Sequence, residues 1–281
     1  MELSPQLFKK IWTGAIIVCL VISLFSVVFA SCRKVEGGED SQSAGGNFDI
    51  VTPEDGGDTE TVSIETPPPT PTPVRLGETE DMGREYLDKL IFLGDSTTYG
   101  IGYYYNQGYT ELCPPSQIWT PASGTLTLAY YNVATVVYPP TGEEISIRDA
   151  VERTKPEFLF VTLGVNGISF MDEEWFKRDY TSLVRMVQEA SPETKIILNS
   201  IYPVAASYPY QKDINNTLIN NANVWIEQIA ADTGCRFLYS HESVVGPDGY
   251  LPEGSQNGDG VHLTGEAFTT VMHYIRTHAW Q

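Results

Sequence analysis

The sequence predicts an α/β domain in which a parallel sheet is covered by helices on both faces, and two patterns carry that expectation. Short, fully apolar runs occur at 90–94 (LIFLG), 158–164 (FLFVTLG), 195–203 (KIILNSIYP) and 236–240 (RFLYS). They read as buried parallel strands, because a strand covered on both sides has no polar face to alternate with. Between and after them lie helical faces: Phe176, Tyr180, Leu183, Val184 and Val187, then Leu218, Ala222, Trp225, Ile226 and Ile229, then Phe268, Val271, Met272 and Ile275. Each set repeats at the helical period and so presents one apolar stripe to a core. Strands alternating with helices give a sheet with both faces covered, and in such sheets ligands sit beyond the carboxyl ends of the strands.

Taken in order, the chain begins with a short N-terminal tail, residues 1–10, closed by Lys9 and Lys10. Residues 11–30 (IWTGAIIVCLVISLFSVVFA) form an uncharged apolar run. At 1.5 Å per residue it is long enough to cross a hydrocarbon core. A membrane-spanning helix is expected there, with a signal peptide as the rival, since Val28 and Ala30 make a small-residue cleavage site just before Cys32. The first alternative gives a single-pass cell-membrane protein with its domain outside. The second gives a secreted or lipid-anchored protein after cleavage near Ala30–Cys32. Residues 31–83 are rich in Gly, Ser, Thr, Glu and Asp and contain TPPPTPTP. With almost no apolar periodicity they read as a disordered, solvated linker, and residues 84–281 as the folded domain. The chain's 281 residues and 42% hydrophobic content suffice for one sizeable core. Its net charge of −19 argues against a nucleic-acid partner, which needs clustered Lys and Arg.

Three polar clusters fall where the fold would gather them. Gly94, Asp95 and Ser96 follow the first strand, Gly164 to Gly167 (GVNG) follow FLFVTL, and Asp259 and His262 lie in a turn before the last helix, with Thr264 as its N-cap. Serine is a weak nucleophile at its free pKa and needs an adjacent base, and the base needs an orienting acid. Asp259, three residues before His262, is spaced to reach its ring. Asp95 reads as structural, bonding turn amides.

With G-D-S, G-x-N and D-x-x-H in that order, the chain resembles the SGNH/GDSL hydrolases over about residues 88–279. The resemblance implies a flavodoxin-like three-layer α/β/α sandwich and a serine esterase or acyl hydrolase. It implies Ser96 as nucleophile, His262 as base, Asp259 as orienting acid, and Asn166 with the Ser96 backbone N–H as oxyanion donors. Two departures stand out. The acid that follows the asparagine in the family is Gly167 here, and the family's second glycine block, a further oxyanion N–H, has no clear match between residues 97 and 163, where Gly124 and Gly142 both remain candidates.

No cofactor or metal is implied. His241, His273 and His278 read as surface histidines without metal-ligand spacing, and in YGIGYYYNQG Tyr105 stands where a dinucleotide loop needs its third glycine. Cys113 and Cys235 are far apart in sequence, and either a disulfide or two free thiols is compatible with that. The expected function is deacylation, with acetyl as the foremost acyl group, of a small-molecule or glycan ester outside the cytoplasm. The alternatives are a glycan-binding or sensing module with a decayed oxyanion hole, or an O-acyltransferase using the same triad.

Overall fold

The computed structural model describes residues 74–281. The expected membrane-crossing run, its cleavage site and the linker up to residue 73 lie outside the described residues. Among those described, no helix is long and apolar enough to cross a membrane.

The elements run α1 (Gly83–Leu87), β1 (Leu90–Gly94), α2 (Ser96–Asn106), β2 (Ile118–Trp119), β3 (Thr135–Tyr138), β4 (Glu143–Ser146), α3 (Ile147–Thr154), β5 (Phe158–Thr162), α4 (Glu173–Ala190), β6 (Lys195–Asn199), α5 (Asn216–Thr233), β7 (Arg236–Leu238) and α6 (Gly265–Thr277). Five strands form one parallel sheet in the order β2-β1-β5-β6-β7, with Leu93 between Trp119 and Val161 and Gly94 beside Thr162. Numbered along the chain within this sheet alone, the order is 2-1-3-4-5, that of flavodoxin-like doubly wound sheets. The winding reverses between β1 and β5, and the crevice that this reversal opens lies at their carboxyl ends.

Alternate side chains of the strands fill two cores. Leu159 and Val161 of β5 pack with Leu93, Ile196 and Leu198 against α3, α4 and α5. Phe158 and Phe160 pack with Phe92 and Ile197 against α1, α2 and α6. Every residue of β5 is buried, which is why it reads in the sequence as an unbroken apolar run.

The α4 and α6 faces are buried as expected. On α5 the buried stripe is rotated: Ile219, Ala222, Asn223, Ile226, Ile229 and Ala230 face the core, and Leu218 and Trp225 lie at its edge. A buried amide shifts the stripe, because Asn223 Oδ1 accepts the Ile201 N–H at 2.7 Å and its Nδ2 donates to the Ile201 carbonyl at 3.1 Å.

Several expectations change. Residues 74–83, assigned to the linker, lie along the domain: Leu76 N–H donates to the Phe237 carbonyl (2.8 Å), Phe237 N–H to that of Val74 (2.9 Å) and Thr79 N–H to that of Thr277 (2.6 Å). Val74, Leu76 and Met82 are too few and too irregularly spaced in this stretch to give a period, so its order comes from backbone pairing with β7 and the end of α6. The strands at 158, 195 and 236 end earlier than their apolar runs, at Thr162, Asn199 and Leu238. The two-residue β2 and the antiparallel β3–β4 hairpin are too short to show a period. His241 is buried, not on the surface; its N–H donates to Ser200 Oγ, its Nδ1 lies 2.9 Å from the Ile201 carbonyl, and burial lowers its pKa. His273 is exposed, and His278 is half-buried, stacked on Tyr274. Cys113 and Cys235 are both free and buried.

Candidate active site

The crevice between β1 and β5 gathers the residues that the sequence singled out. β1 ends at Gly94, Asp95 caps α2 by accepting the Thr97 N–H at 3.0 Å, and Ser96 is the first residue of that helix. The turn is tight enough to demand glycine: a Cβ on Gly94 would lie 2.0 Å from Thr98 Oγ1 and 2.6 Å from the Thr162 carbonyl oxygen. Ser96 is therefore held at a helix N-terminus, where first-turn N–H groups have no carbonyl one turn back and the helix dipole favours negative charge.

His262 arrives from the loop before α6. Its Nε2 lies 2.8 Å from Ser96 Oγ and its Nδ1 2.7 Å from Asp259 Oδ2. With Asp259 ionised, Nδ1 carries the proton and Nε2 is left to accept from the serine hydroxyl. The other oxygen of Asp259 accepts the backbone N–H groups of Val261 and His262, each at 2.9 Å. Burial by itself would raise the Asp259 pKa. The His262 ring and these two amides outweigh it and hold the carboxyl below its ordinary value. The loop is also braced by its own residues. Gln256 Oε1 accepts the Gly258 and Gly260 N–H groups (2.5 and 2.9 Å), and Asn257 N–H donates to the His262 carbonyl at 2.9 Å.

Asn166 lies in the turn after β5, closed by Gly167 N–H donating to the Gly164 carbonyl at 2.8 Å. Its Nδ2 donates to the Leu126 carbonyl at 3.1 Å and approaches Asp95 Oδ2 at 3.4 Å. Asp95 is 1% exposed, and burial pushes its carboxyl up to about 6, against the opposing pull of the Thr97 N–H and the nearby His262 ring. A cavity of about 10 Å³, the size of one water, adjoins it, lined by Asp95, Thr97, Thr162 and Tyr202 among others.

The structure thus brings Ser96, Asp259, His262 and Asn166 to one rim. It does not supply the missing glycine amide from either candidate. Gly142 sits in the β3–β4 turn with its N–H on the Tyr138 carbonyl (2.8 Å), and the Gly124 N–H is held by the Pro121 carbonyl (2.8 Å). Both glycines serve turns, and their amides are spent there. Sequence reasoning missed Gln256, whose side chain accepts two amides of its own loop, and Leu126, which acts through its backbone carbonyl; neither leaves a signature. It also missed the second contact of Asp95.

A doubly wound sheet with a Ser–His–Asp relay at its switch point defines an α/β serine hydrolase. The profile of the GDSL-like lipase/acylhydrolase family matches residues 92–268. The chain belongs to that family, whose members are carboxylic ester hydrolases. No curated protein matches the chain. Among solved structures it is similar to a GDSL-like lipase from Bacteroides thetaiotaomicron (20% identity, 66% of this chain and 85% of that one, TM-score 0.46). It is also similar to a DUF4886 family protein from Bacteroides uniformis (14%, 68% and 86%, 0.47) and to an acetyl-xylooligosaccharide esterase from Geobacillus (15%, 75% and 98%, 0.40).

Proposed function

We propose that the domain is a serine esterase that removes short acyl groups, acetyl foremost, from a glycan outside the cytoplasm. The hydrogen-bonded chain from Ser96 Oγ through His262 to Asp259 carries the hydrolytic part. Ser96 Oγ attacks the ester carbonyl while His262 Nε2 takes its proton, and Asp259 holds the ring and favours the imidazolium. The oxyanion is met by the Asn166 side-chain amide and the Ser96 N–H at the start of α2. As the tetrahedral adduct collapses, the proton on Nε2 passes to the leaving alcohol. The acyl group stays on Ser96 until water, deprotonated by the same nitrogen, releases it as the free acid.

The extracytoplasmic glycan part is supported by the apolar run at 11–30 and the acidic Pro- and Thr-rich stretch after it, which would hold a domain away from a membrane. A second reading, a binding module on the same fold, is favoured by one observation: both candidate glycine amides are engaged in turns.

Fluorophosphonate labelling of residues 74–281 separates the two. Wild type is expected to carry one label, lost in Ser96→Ala. A label that persists in Ser96→Ala would remove the serine from its role, and an unlabelled wild type would favour the binding module. Acetate release from O-acetylated polysaccharide tests the substrate class, and fractionation of cells tests the location.

A further inference from the structure

Asp95 is a buried carboxylate that the hydrolytic steps above do not use. An N-cap needs no charge, since Ser, Thr or Asn would hold the Thr97 N–H as well, and a buried carboxylate costs desolvation that an uncharged cap avoids. Among the described residues, no Lys or Arg forms an ion pair with it. The ionisable groups facing it are His262 from the loop before α6, Tyr180 from α4 and Tyr202 from the segment after β6. What a carboxylate offers and an amide or hydroxyl does not is two acceptor oxygens at once. Both are in use here: Oδ1 takes the Thr97 N–H at 3.0 Å and Oδ2 faces Asn166 Nδ2 at 3.4 Å.

That second contact decides which way the Asn166 amide points. The two ends of an asparagine amide have nearly the same shape, and only partners distinguish them. Asn166 meets two pure acceptors, the Asp95 carboxylate and the Leu126 carbonyl, so its NH2 end is turned toward them. We propose that Asp95 is the positioning residue of the oxyanion site, fixing the Asn166 amide so that the N–H now on the Leu126 carbonyl is the one an oxyanion takes. The 3.4 Å separation is long for a hydrogen bond, as catalytic contacts commonly are before substrate tightens them. This proposal rests on Asn166 being an oxyanion donor.

The test is a double-mutant cycle between positions 95 and 166, read as kcat and KM on a short acyl ester and as thermal stability. Asp95→Asn keeps one acceptor and puts a donor against the Asn166 amide. Asp95→Ser keeps the cap and withdraws the second oxygen, and serves if the first variant does not fold. Each is expected to lower kcat about tenfold or more with KM within about threefold, whereas Asn166→Ala lowers kcat by roughly 10²–10³. In the Asn166→Ala background, either Asp95 change should then cost less than about twofold, because the group it positions is gone. Folded Asp95 variants with kcat within twofold of wild type overturn the proposal. So does a loss that persists undiminished in Asn166→Ala. If Asn166→Ala itself leaves kcat unchanged, the oxyanion assignment fails and this proposal falls with it, an outcome separable from a failure at Asp95 alone.

Discussion

At the scale of single residues the two aspartates at the site behave in opposite ways, and environment is the cause. Asp259 has the His262 ring and two backbone N–H groups on it, which outweigh its burial and hold its pKa low. Asp95 is more deeply buried, its burial outweighs the donors on it, and its pKa rises to about 6. A carboxyl whose folded pKa lies above its unfolded value binds its proton more tightly in the native state. Its contribution to stability therefore falls as pH rises between about 4 and 6. Above that window the buried charge costs the fold roughly 3 kcal/mol at most by linkage. Asp95→Asn is accordingly expected to gain stability over wild type as pH is raised from 4 to 7.5, measured by urea unfolding at several pH values. A difference that stays flat across that range would mean the carboxyl does not titrate there. More stability with less turnover would mark a residue kept for activity.

At the scale of elements, the turn between β1 and α2 places the nucleophile, and it is set by contact with a neighbouring strand. β1 and β5 run parallel with Gly94 beside Thr162, and α2 starts two residues later. The space left at Gly94 is too small for a methyl group, because the Thr162 carbonyl belongs to the sheet and cannot yield as a side chain would. Gly94→Ala should push the turn away from β5 and carry Ser96 off the His262 ring. The expected results are a Tm lower by several degrees and fluorophosphonate labelling slowed by an order of magnitude or more. Labelling at the wild-type rate would show that the turn absorbs the methyl without moving Ser96. The same crowding explains α2 itself, a helix interrupted by Gly100 and Gly102 that shows no clear stripe. A Cβ on Gly100 would be 2.9 Å from the Phe268 ring, so glycine lets α2 lie close against α6 at some cost in helix propensity.

At the scale of the whole molecule, the described chain closes on itself. The stretch at 74–79 bonds to Phe237 of β7 and to Thr277 at the end of α6, and Arg75 pairs with Glu227 of α5. The ion pair is exposed and adds little, but the backbone bonds cover an edge of the sheet that would otherwise present unpaired groups. A chain starting at residue 84 should therefore melt several degrees below one starting at 74, with the same labelling rate once folded. Equal melting temperatures would show that the edge is indifferent to its cover. This also sets where a domain preparation should begin.

The sequence by itself determined the parallel sheet and the residues of the relay. LIFLG and FLFVT are buried on both faces, and burial on both faces leaves an uninterrupted apolar run. Asp259 and His262 are three residues apart in one turn, so their contact is local and legible from spacing. What only the tertiary structure decided is whatever depends on segments distant in the chain. The orientation of Asn166 is set by Asp95 and by a carbonyl at Leu126, 71 and 40 residues away. The amides of Gly124 and Gly142 went to their own turns, and His241 went to the interior through Ser200 and Ile201. Hydrogen bonds to backbone carbonyls carry no side-chain signature. Which donor finds which acceptor is fixed only when packing of the two cores has brought the strand ends together.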